Sequence, residues 1–184
     1  MNDIATERLL LRPARIDDCF ELYDILSQPE TTWWADLPLY DNYCEVIDFI
    51  MWGNHSLGFS QYMITDKKTD HILGLLQVMG PLFSGDEPGV IQLGYLLSEE
   101  EQGKGYMTEA VHAVIDQLFS DPYIKELYLE ILPNNTPSQG VAKRCGFQFM
   151  EQAEEERSVR NLDLAPLDRY LLTRECYNGL LSVS

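Results

Sequence analysis

Basic residues are scarce in this chain. Its 184 residues include 13 Lys and Arg against 30 Asp and Glu, so the formal net charge is −17 at pH 7. A surface of that sign repels phosphate, which argues against nonspecific nucleic-acid binding and favours basic or amine-bearing partners. The alternative, that the charge serves only solubility, stays open at this point. We expect no nucleic-acid partner.

Cysteine is also sparse, and its positions exclude a common class of site. Cys19, Cys44, Cys145 and Cys176 each fall in a segment with regular hydrophobic periodicity and lack metal-ligand spacing. That distribution is typical of reduced thiols and not of a disulfide framework or a zinc site. We therefore expect no metal.

Hydrophobic runs long enough to span a bilayer are missing, and residues 1–4 lack the basic and apolar regions of a signal peptide. These absences predict a cytoplasmic protein with no membrane partner. Apolar residues still make up 45% of the chain, with three Trp, which excludes a disordered chain. Because no linker, repeat or low-complexity segment interrupts it, residues 1–184 are expected to form a single domain.

A predicted strand, a glycine-containing turn and a predicted helix follow one another between residues 90 and 119. The apolar run Val90–Leu97 predicts the strand, and apolar residues at helical spacing predict the helix: Met107, Val111, Val114, Ile115 and Leu118. Gly103 and Gly105 allow backbone conformations closed to other residues and a close ligand approach. The first helical turn leaves amide donors unpaired at the positive end of the helix dipole, so the segment is a candidate phosphate site. A plain strand–turn–helix connection is the alternative.

Two common nucleotide-binding motifs do not fit this turn. Walker A requires Gly-x4-Gly-Lys-Ser/Thr, and the dinucleotide fingerprint requires a third glycine where Thr108 stands. The pattern that does fit is Gln/Arg-x-x-Gly-x-Gly/Ala, in the segment Gln102-Gly103-Lys104-Gly105-Tyr106-Met107.

On these residues the sequence resembles the GCN5-related N-acetyltransferases (GNAT), in which a motif of this form wraps the pyrophosphate of acetyl-coenzyme A. The run from Gly103 to Ala110 is most similar to the RimJ/RimL-like branch, which acetylates the N-termini of ribosomal proteins. Met107 departs from the small residue expected at the sixth position, and we expect its side chain to point into the core. The resemblance implies a coenzyme site formed by Leu96, Leu97, Gln102, Gly103, Lys104, Gly105, Tyr106, Met107, Thr108, Asn135, Ser138 and Lys143.

Two further segments carry the resemblance. Glu7-Arg8-Leu9-Leu10-Leu11-Arg12 with an Asp five residues later is similar to the opening of the same branch. Asn135-Thr136-Pro137-Ser138, followed by a basic residue and then Gly146-Phe147, recurs across the superfamily. In the family the Asn hydrogen-bonds the coenzyme, and the helix packs beside its adenine and pantetheine arm.

The remaining chain predicts further elements. Strands are expected over 6–13, 58–65, 72–78, 126–132, 147–150 and 168–176, and helices after Asp17 or Asp18, over 43–52 and from the 133–138 turn to Cys145. Residues 80–89 are expected to be a loop, 151–163 a solvated loop or strand extension, and 164–167 a break. The resemblance implies an α/β (α+β) GNAT fold. Its mixed, mostly antiparallel sheet would have about seven strands flanked by helices, a V-shaped splay between two central parallel strands, and a last strand inserted between earlier ones.

The resemblance also implies catalytic roles. The backbone amide of Leu96 or Leu97 would meet the thioester oxygen. Gln92 stands where many relatives carry a Glu base, and it can orient a water but cannot take a proton. Ser138 matches a serine that contacts the coenzyme sulfur in the ribosomal branch, although a role as helix cap is an alternative. Loop carboxylates remain possible bases: Glu21, Glu45 and Glu154–Glu156.

The expected acceptor is an amine. A helix–loop–helix excursion in the family forms one wall of the acceptor cleft, which implies substrate contacts from Trp33, Trp34 and Tyr40; alternatively, Trp33, Trp34 and Trp52 belong to the core. Without a strong base, a lysine amine is neutral about 0.1% of the time near pH 7.3 and an α-amine roughly a fifth of the time. We therefore expect an acetyl-CoA-dependent N-acetyltransferase acting directly on a peptide or protein N-terminus, as a monomer or homodimer. The alternatives are a polyamine or antibiotic acetyltransferase and a non-catalytic module that holds coenzyme A.

Overall fold

Eight strands form one sheet in the computed structural model, which describes residues 2–157 and 164–182. The strands are β1 Ile4–Ala5, β2 Leu9–Pro13, β3 Phe59–Asp66, β4 Ile72–Met79, β5 Val90–Leu97, β6 Glu126–Ile131, β7 Gln148–Arg157 and β8 Leu164–Thr173. The helices are α1 Cys19–Leu26, α2 Pro29–Trp34, α3 Tyr43–His55, α4 Pro81–Ser84, α5 Tyr106–Phe119, α6 Thr136–Arg144 and α7 Arg174–Leu181, with 3-10 turns at Ile16–Asp18 and Glu99–Glu101.

The sheet is mostly antiparallel, with one parallel pair at its centre. Its strand order is β1-β2-β3-β4-β5-β6-β8-β7, so the last strand lies between β6 and β7, as expected. The parallel strands β5 and β6 are in register only from Val90–Glu126 to Leu93–Leu129, after which β5 continues to Leu97 and β6 to Ile131. The two strands therefore splay apart at their carboxyl ends, which confirms the implied fold.

Helices cover both faces of the sheet because neighbouring strand residues point to opposite sides. Leu76 and Leu97 belong to the cluster under α5 and α6, whereas the adjacent Leu75 and Leu96 belong to the cluster under α1 and α3. Met107 is buried in the first cluster, as expected. Each apolar strand is thus buried on both sides, and the splay opens between two packed layers.

The amino-terminal half departs from the predicted elements in two places. The strand expected over 6–13 begins only at Leu9, as β2, because residues 6–8 form a bend after the short β1. The loop predicted over 80–89 contains one helical turn, α4, which starts with a proline at its first position.

The carboxyl-terminal half departs more. Residues 164–167 do not break the chain but begin β8, and Pro166 lies beyond the residues that pair with β6, where the register with β7 shifts. Such an irregular position accommodates a residue without an N–H. Residues 174–176 are not strand but the start of α7, capped by Thr173, whose hydroxyl accepts from Cys176 N at 3.2 Å. Residues 151–157 extend β7, and 158–163 lie outside the described residues.

A buried ion pair joins β2 to the start of α1. Arg12 donates from both terminal nitrogens to the two oxygens of Asp18, each at 2.8 Å, and the side chains are 3% and 7% exposed. Arg15 N also donates to Asp18 at 2.6 Å. The Asp18 side chain therefore does not cap α1. It anchors the loop that carries the chain from the sheet to the helical excursion.

None of the helices within 2–157 and 164–182 is long and apolar enough to cross a membrane.

Candidate active site

The turn before α5 has the backbone geometry that its glycines suggested. Gly103 has φ 73° and Gly105 has φ 82°, both in the left-handed region. A Cβ added at Gly103 would meet no atom within 4 Å, so open space lies over the turn. Gln102 Nε2 donates to Leu97 O at 3.2 Å and ties the turn to the end of β5.

Arg8 and Glu109 make the side-chain contacts that stabilise this turn. Arg8 donates from Nη1 to Lys104 O at 3.0 Å and from Nε to Glu109 at 2.6 Å, and its guanidinium lies 4.5 Å from the Tyr106 ring centroid. Thr6 and the Arg8 amide also donate to Glu109, at 2.5 and 2.9 Å. Burial alone would raise the pKa of Glu109, but these bonds outweigh it and lower that pKa. The motif in residues 7–12 did not predict this contact between the amino-terminal segment and α5.

Cationic side chains near the turn are few and partly engaged. Lys104 pairs with Glu101 at 3.1 Å, and Lys143 is exposed on α6. Arg144, one residue later, donates to Thr108 Oγ1 at 3.2 Å and links α6 to the first turn of α5. Arg144 therefore makes a contact beside the candidate phosphate site, and the expected contact of Lys143 with the coenzyme stays a prediction.

A cavity of about 1140 Å³ joins the turn, the splay and the helical excursion; we call it the central cavity. The expected site residues that line it are Gln92, Leu96, Leu97, Gln102, Gly103, Met107, Asn135, Ser138, Trp34 and Tyr40. The expected residues that do not line it are Lys104, Gly105, Tyr106, Thr108, Lys143 and Trp33.

The amide of Leu97 faces the opening between β5 and β6. Ser98 N donates to Leu73 O at 2.9 Å across the β4–β5 pair. Because amides alternate in direction along an antiparallel strand, the Leu96 amide faces β4 and the Leu97 amide faces away from it. Of the two amides expected near the thioester, only that of Leu97 points into the splay.

Ser138 is hydrogen-bonded to a tyrosine on β5. Its Oγ donates to Tyr95 Oη at 2.9 Å, and Tyr95 Oη donates to Ser138 O at 3.3 Å. The cap of α6 is Asn135, whose Oδ1 accepts from Ser138 N at 3.1 Å, so the alternative that Ser138 only caps its helix is wrong. Burial raises the pKa of Tyr95, which keeps its hydroxyl protonated. Sequence reasoning missed Tyr95, because 43 residues separate it from Ser138.

Gln92 reaches a carboxylate on the neighbouring strand. Its Nε2 donates to Glu130 Oε2 at 3.0 Å, and Glu130 Oε1 accepts from Arg169 Nη2 at 2.5 Å. Both Gln92 and Glu130 line the central cavity. Sequence reasoning missed Glu130, although a single carboxylate inside the apolar run of β6 was a usable signal.

The carboxylates proposed as loop bases fall in different places. Glu45 lines the central cavity, where its oxygens accept from Asp41 N and Asn42 Nδ2, both at 2.9 Å. Glu21 lies outside it, paired with His71 at 2.5 Å. The side chains of Glu154–Glu156 lie outside the described residues.

The far half of the central cavity is aromatic and acidic. Its aromatic residues include Trp34, Tyr40, Phe49, Trp52 and Phe59. Trp33, Trp34 and Trp52 are 48%, 39% and 47% exposed, so the alternative that assigned them to the core is wrong. Burial, with a contribution from Glu45, raises the pKa of Tyr40 to about 12, so its hydroxyl stays neutral.

The charges in the central cavity have one sign. Its lining includes Asp36, Glu45, Asp48 and Glu130, and among the described residues that line it there is no Lys, Arg or His. No group of three or more His, Cys, Asp or Glu suited to a metal ion occurs within 2–157 and 164–182. The arrangement therefore suits a cationic ligand at one end and a phosphate-bearing one at the other.

A sheet that splays between two parallel strands beside a glycine turn and a helix N-terminus defines the acetyltransferase fold of the expected class. The family model described as an acetyltransferase (GNAT) domain matches residues 8–148. The chain belongs to this family of N-acetyltransferases.

Similar proteins agree with this membership. N-acetyltransferase p20 of Bacillus licheniformis, itself uncharacterized, is 30% identical over 151 residues, which cover 80% of this chain and 83% of that protein. The spermidine N-acetyltransferase of Vibrio cholerae in complex with CoA and spermine has a TM-score of 0.78 at 16% identity, covering 94% of this chain and 99% of that one. RimL, the ribosomal L7/L12 alpha-N-protein acetyltransferase in complex with CoA, has a TM-score of 0.78 at 19% identity, covering 95% and 99%. At these identities the two structures show a shared fold.

Proposed function

We propose that this protein transfers acetyl from acetyl-coenzyme A directly to an amine, as an acyltransferase of the RimJ/RimL-like branch. The observation that carries the proposal is the central cavity, which joins the glycine turn to an acidic, aromatic wall through the splay. One ligand can enter from each side, and the two can meet between β5 and β6. That is the arrangement a ternary complex requires.

The residues at the turn fit the pyrophosphate of the coenzyme. The open space over Gly103 leaves room for phosphate, and the first amides of α5 supply donors at the positive end of the helix dipole. Arg144 and Lys104 add local positive charge to a protein that is strongly anionic overall. We propose that Asn135 and Ser138 contact the coenzyme arm along α6.

The residues at the splay fit the reacting atoms. The coenzyme supplies an activated acyl group as a thioester. The Leu97 amide is oriented to donate to the developing oxyanion. The Ser138 hydroxyl, which donates to Tyr95 Oη before the transfer, turns to donate to the departing sulfur. In the transfer a C–N bond forms, the C–S bond breaks, the amine gives up a proton, and the sulfur receives one.

The acceptor wall supports a cationic amine. Asp36, Glu45 and Asp48 attract an ammonium group, and Trp34 and Trp52 offer ring faces for cation–π contact. Among such amines a peptide α-amine is the best acceptor, because it is partly neutral near pH 7.5 and needs little help from a base. A polyamine is the second candidate, which the number of carboxylates favours.

The test is acetyl transfer measured on an amine panel. We expect a basic peptide with a free N-terminus to be acetylated faster than the same peptide N-blocked with its lysines free, with polyamines between them. Transfer to none of these amines would contradict the proposal. Faster acetylation of the blocked peptide would contradict the choice of α-amine.

A matched pair of variants tests the coenzyme site in the same assay. Gly103→Asp puts a carboxylate into the space proposed for pyrophosphate and should abolish coenzyme A binding by calorimetry. Gly85→Asp is the control, because Gly85 also has a positive φ, 80°, with no atom within 4 Å of an added Cβ, but it does not line the central cavity. Equal loss of affinity in both variants would contradict the assignment of the turn.

A further inference from the structure

A carboxylate stands beside the position where a base was expected, but its oxygens are already engaged. Glu130 Oε2 accepts from Gln92 Nε2 at 3.0 Å, and Oε1 accepts from both Nε and Nη2 of Arg169, at 3.2 and 2.5 Å. The Glu130 side chain is 11% exposed. Taking a proton from an amine would cost this residue its bonds to Gln92 and Arg169.

Arg169 is itself fixed, so the ion pair is a rigid part of the sheet. Its guanidinium lies 4.8 Å from the Tyr128 ring centroid, and Tyr128 Oη donates to Asp86 at 2.8 Å. Tyr128 is also the residue of β6 in register with Gln92 on β5. Three adjacent strands, β5, β6 and β8, thus contribute to one polar network at the start of the splay.

The network determines the orientation of the Gln92 amide. A primary amide carries its oxygen and nitrogen on opposite sides of the same carbon. With Nε2 turned to Glu130, Oε1 is directed away from that carboxylate, and Gln92 lines the central cavity. Within the described part of the chain no donor reaches Oε1. An amide oxygen beside the splay therefore has capacity to accept a hydrogen bond from a ligand.

We propose that Glu130 is a positioning residue, neutralised by Arg169, that turns the Gln92 amide so that its oxygen accepts an N–H of the attacking amine. The inference rests on the proposed function and deepens it. Gln92 orients the nitrogen towards the acyl carbon without removing its proton, which leaves to solvent. The requirement for an amine that is already partly neutral follows from this arrangement.

A double-mutant cycle tests the coupling. Gln92→Leu should lower kcat/KM for the acceptor roughly 10–100-fold, and Glu130→Gln roughly tenfold, with unchanged affinity for coenzyme A. If Glu130 acts through Gln92, adding Glu130→Gln to Gln92→Leu should cause no further loss. Effects that multiply in the double variant would overturn the proposal.

The pH profile distinguishes positioning from base catalysis. In the wild type and in Glu130→Gln, kcat/KM should rise with pH through about 8, following the acceptor amine. A limb below pH 7 that disappears in Glu130→Gln would show that Glu130 is the base and would overturn the proposal.

A readout independent of turnover follows the amide itself. With glutamine labelled at its side-chain nitrogen, the NMR signals of the Gln92 side-chain amide protons should shift in Glu130→Gln. These protons should also exchange faster with solvent. Asp168→Asn is the matched control, because Gln152 Nε2 donates to Asp168 Oδ1 at 3.0 Å in a similar but exposed pair. Neither Gln152 nor Asp168 lines the central cavity. An unchanged Gln92 signal would overturn the proposal.

Failure of the proposed function and failure of the role of Glu130 give different results. If the wild type acetylates no amine, the proposed function fails and this inference fails with it. If transfer occurs but the cycle is multiplicative, only the role of Glu130 fails.

Discussion

At the scale of single residues, two hydroxyl groups meet where we propose that the leaving thiolate forms. Ser138 Oγ and Tyr95 Oη are 2.9 Å apart, and Tyr95 is partly buried on β5 while Ser138 lies in the first turn of α6. Tyr95 therefore supplies a second hydroxyl beside Ser138 from a different element.

The first prediction concerns this pair. Ser138→Ala should lower kcat roughly 10–100-fold with little change in coenzyme A affinity, because the hydrogen bond to sulfur strengthens as charge develops. Tyr95→Phe should lower kcat less, since it removes only the partner that orients Ser138. Turnover, calorimetry and thermal unfolding on the same samples separate these effects. Ser120→Ala, at the end of α5, is the control. Normal turnover in Ser138→Ala would contradict the role.

The second prediction concerns Glu109, which ties the amino-terminal segment to α5. Because its pKa is lowered in the folded state, the stability it contributes is present above the unfolded value near 4.3 and is lost as pH falls through the folded value. Glu109→Gln should therefore cost about 1 kcal/mol at pH 7 and less at pH 3.5. Urea unfolding at both pH values measures the difference, with exposed Glu7→Gln as control. A difference that grows on acidification would contradict this sign.

At the scale of elements, the Arg12–Asp18 pair fixes how the chain leaves the sheet. The two side chains lie six residues apart and are nearly inaccessible to water. Arg12 also donates from Nε to Asp70 at 2.9 Å, in the turn between β3 and β4. One guanidinium thus holds β2, α1 and the β3–β4 hairpin together.

The third prediction follows from that burial. Asp18→Asn should cost about 3–5 kcal/mol of unfolding free energy, because it leaves a buried guanidinium without its bidentate partner. Asp17→Asn is the matched control, since Asp17 is adjacent and exposed, and it should change stability by less than about 0.5 kcal/mol. Chemical denaturation measures both. Equal effects would contradict the assignment of Asp18 as the buried partner.

Periodicity and turn residues predict most elements here because the strands are apolar and the turn segments that separate them are short. The errors lie where a local signal is overridden by the fold. Pro166 indicates a break, yet the irregular β7–β8 register accommodates it. The resemblance extends the last strand through 174–176, yet Thr173 caps α7 there. Residues of the splay are harder still, because Tyr95 reaches Ser138 on α6, and Glu130 reaches Gln92 on β5, only through contacts between elements distant in sequence.

At the scale of the whole molecule, the net charge and the central cavity affect the two proposed ligands differently. The net charge of −17 repels an anionic coenzyme at long range, so the binding that we propose would depend on the local donors at the α5 turn. The same charge attracts a cationic acceptor, and the acidic wall of the central cavity continues that attraction to the splay. The composition and the cavity thus favour the same class of acceptor.

The last prediction tests this attraction with salt. The Debye length falls from about 10 Å at 0.1 M to about 3 Å at 1 M ionic strength, so kcat/KM for a basic peptide should fall several-fold over that range. A peptide of the same length without charged side chains should show a much smaller change. Asp48→Asn, in the cavity wall, should weaken the salt dependence. Asp24 is exposed on α1 and does not line the cavity, so Asp24→Asn removes the same charge but should preserve most of the salt dependence. Because the central cavity focuses the field at its wall, position matters more than net charge. Equal salt slopes for the two variants would show that only the overall charge steers the acceptor.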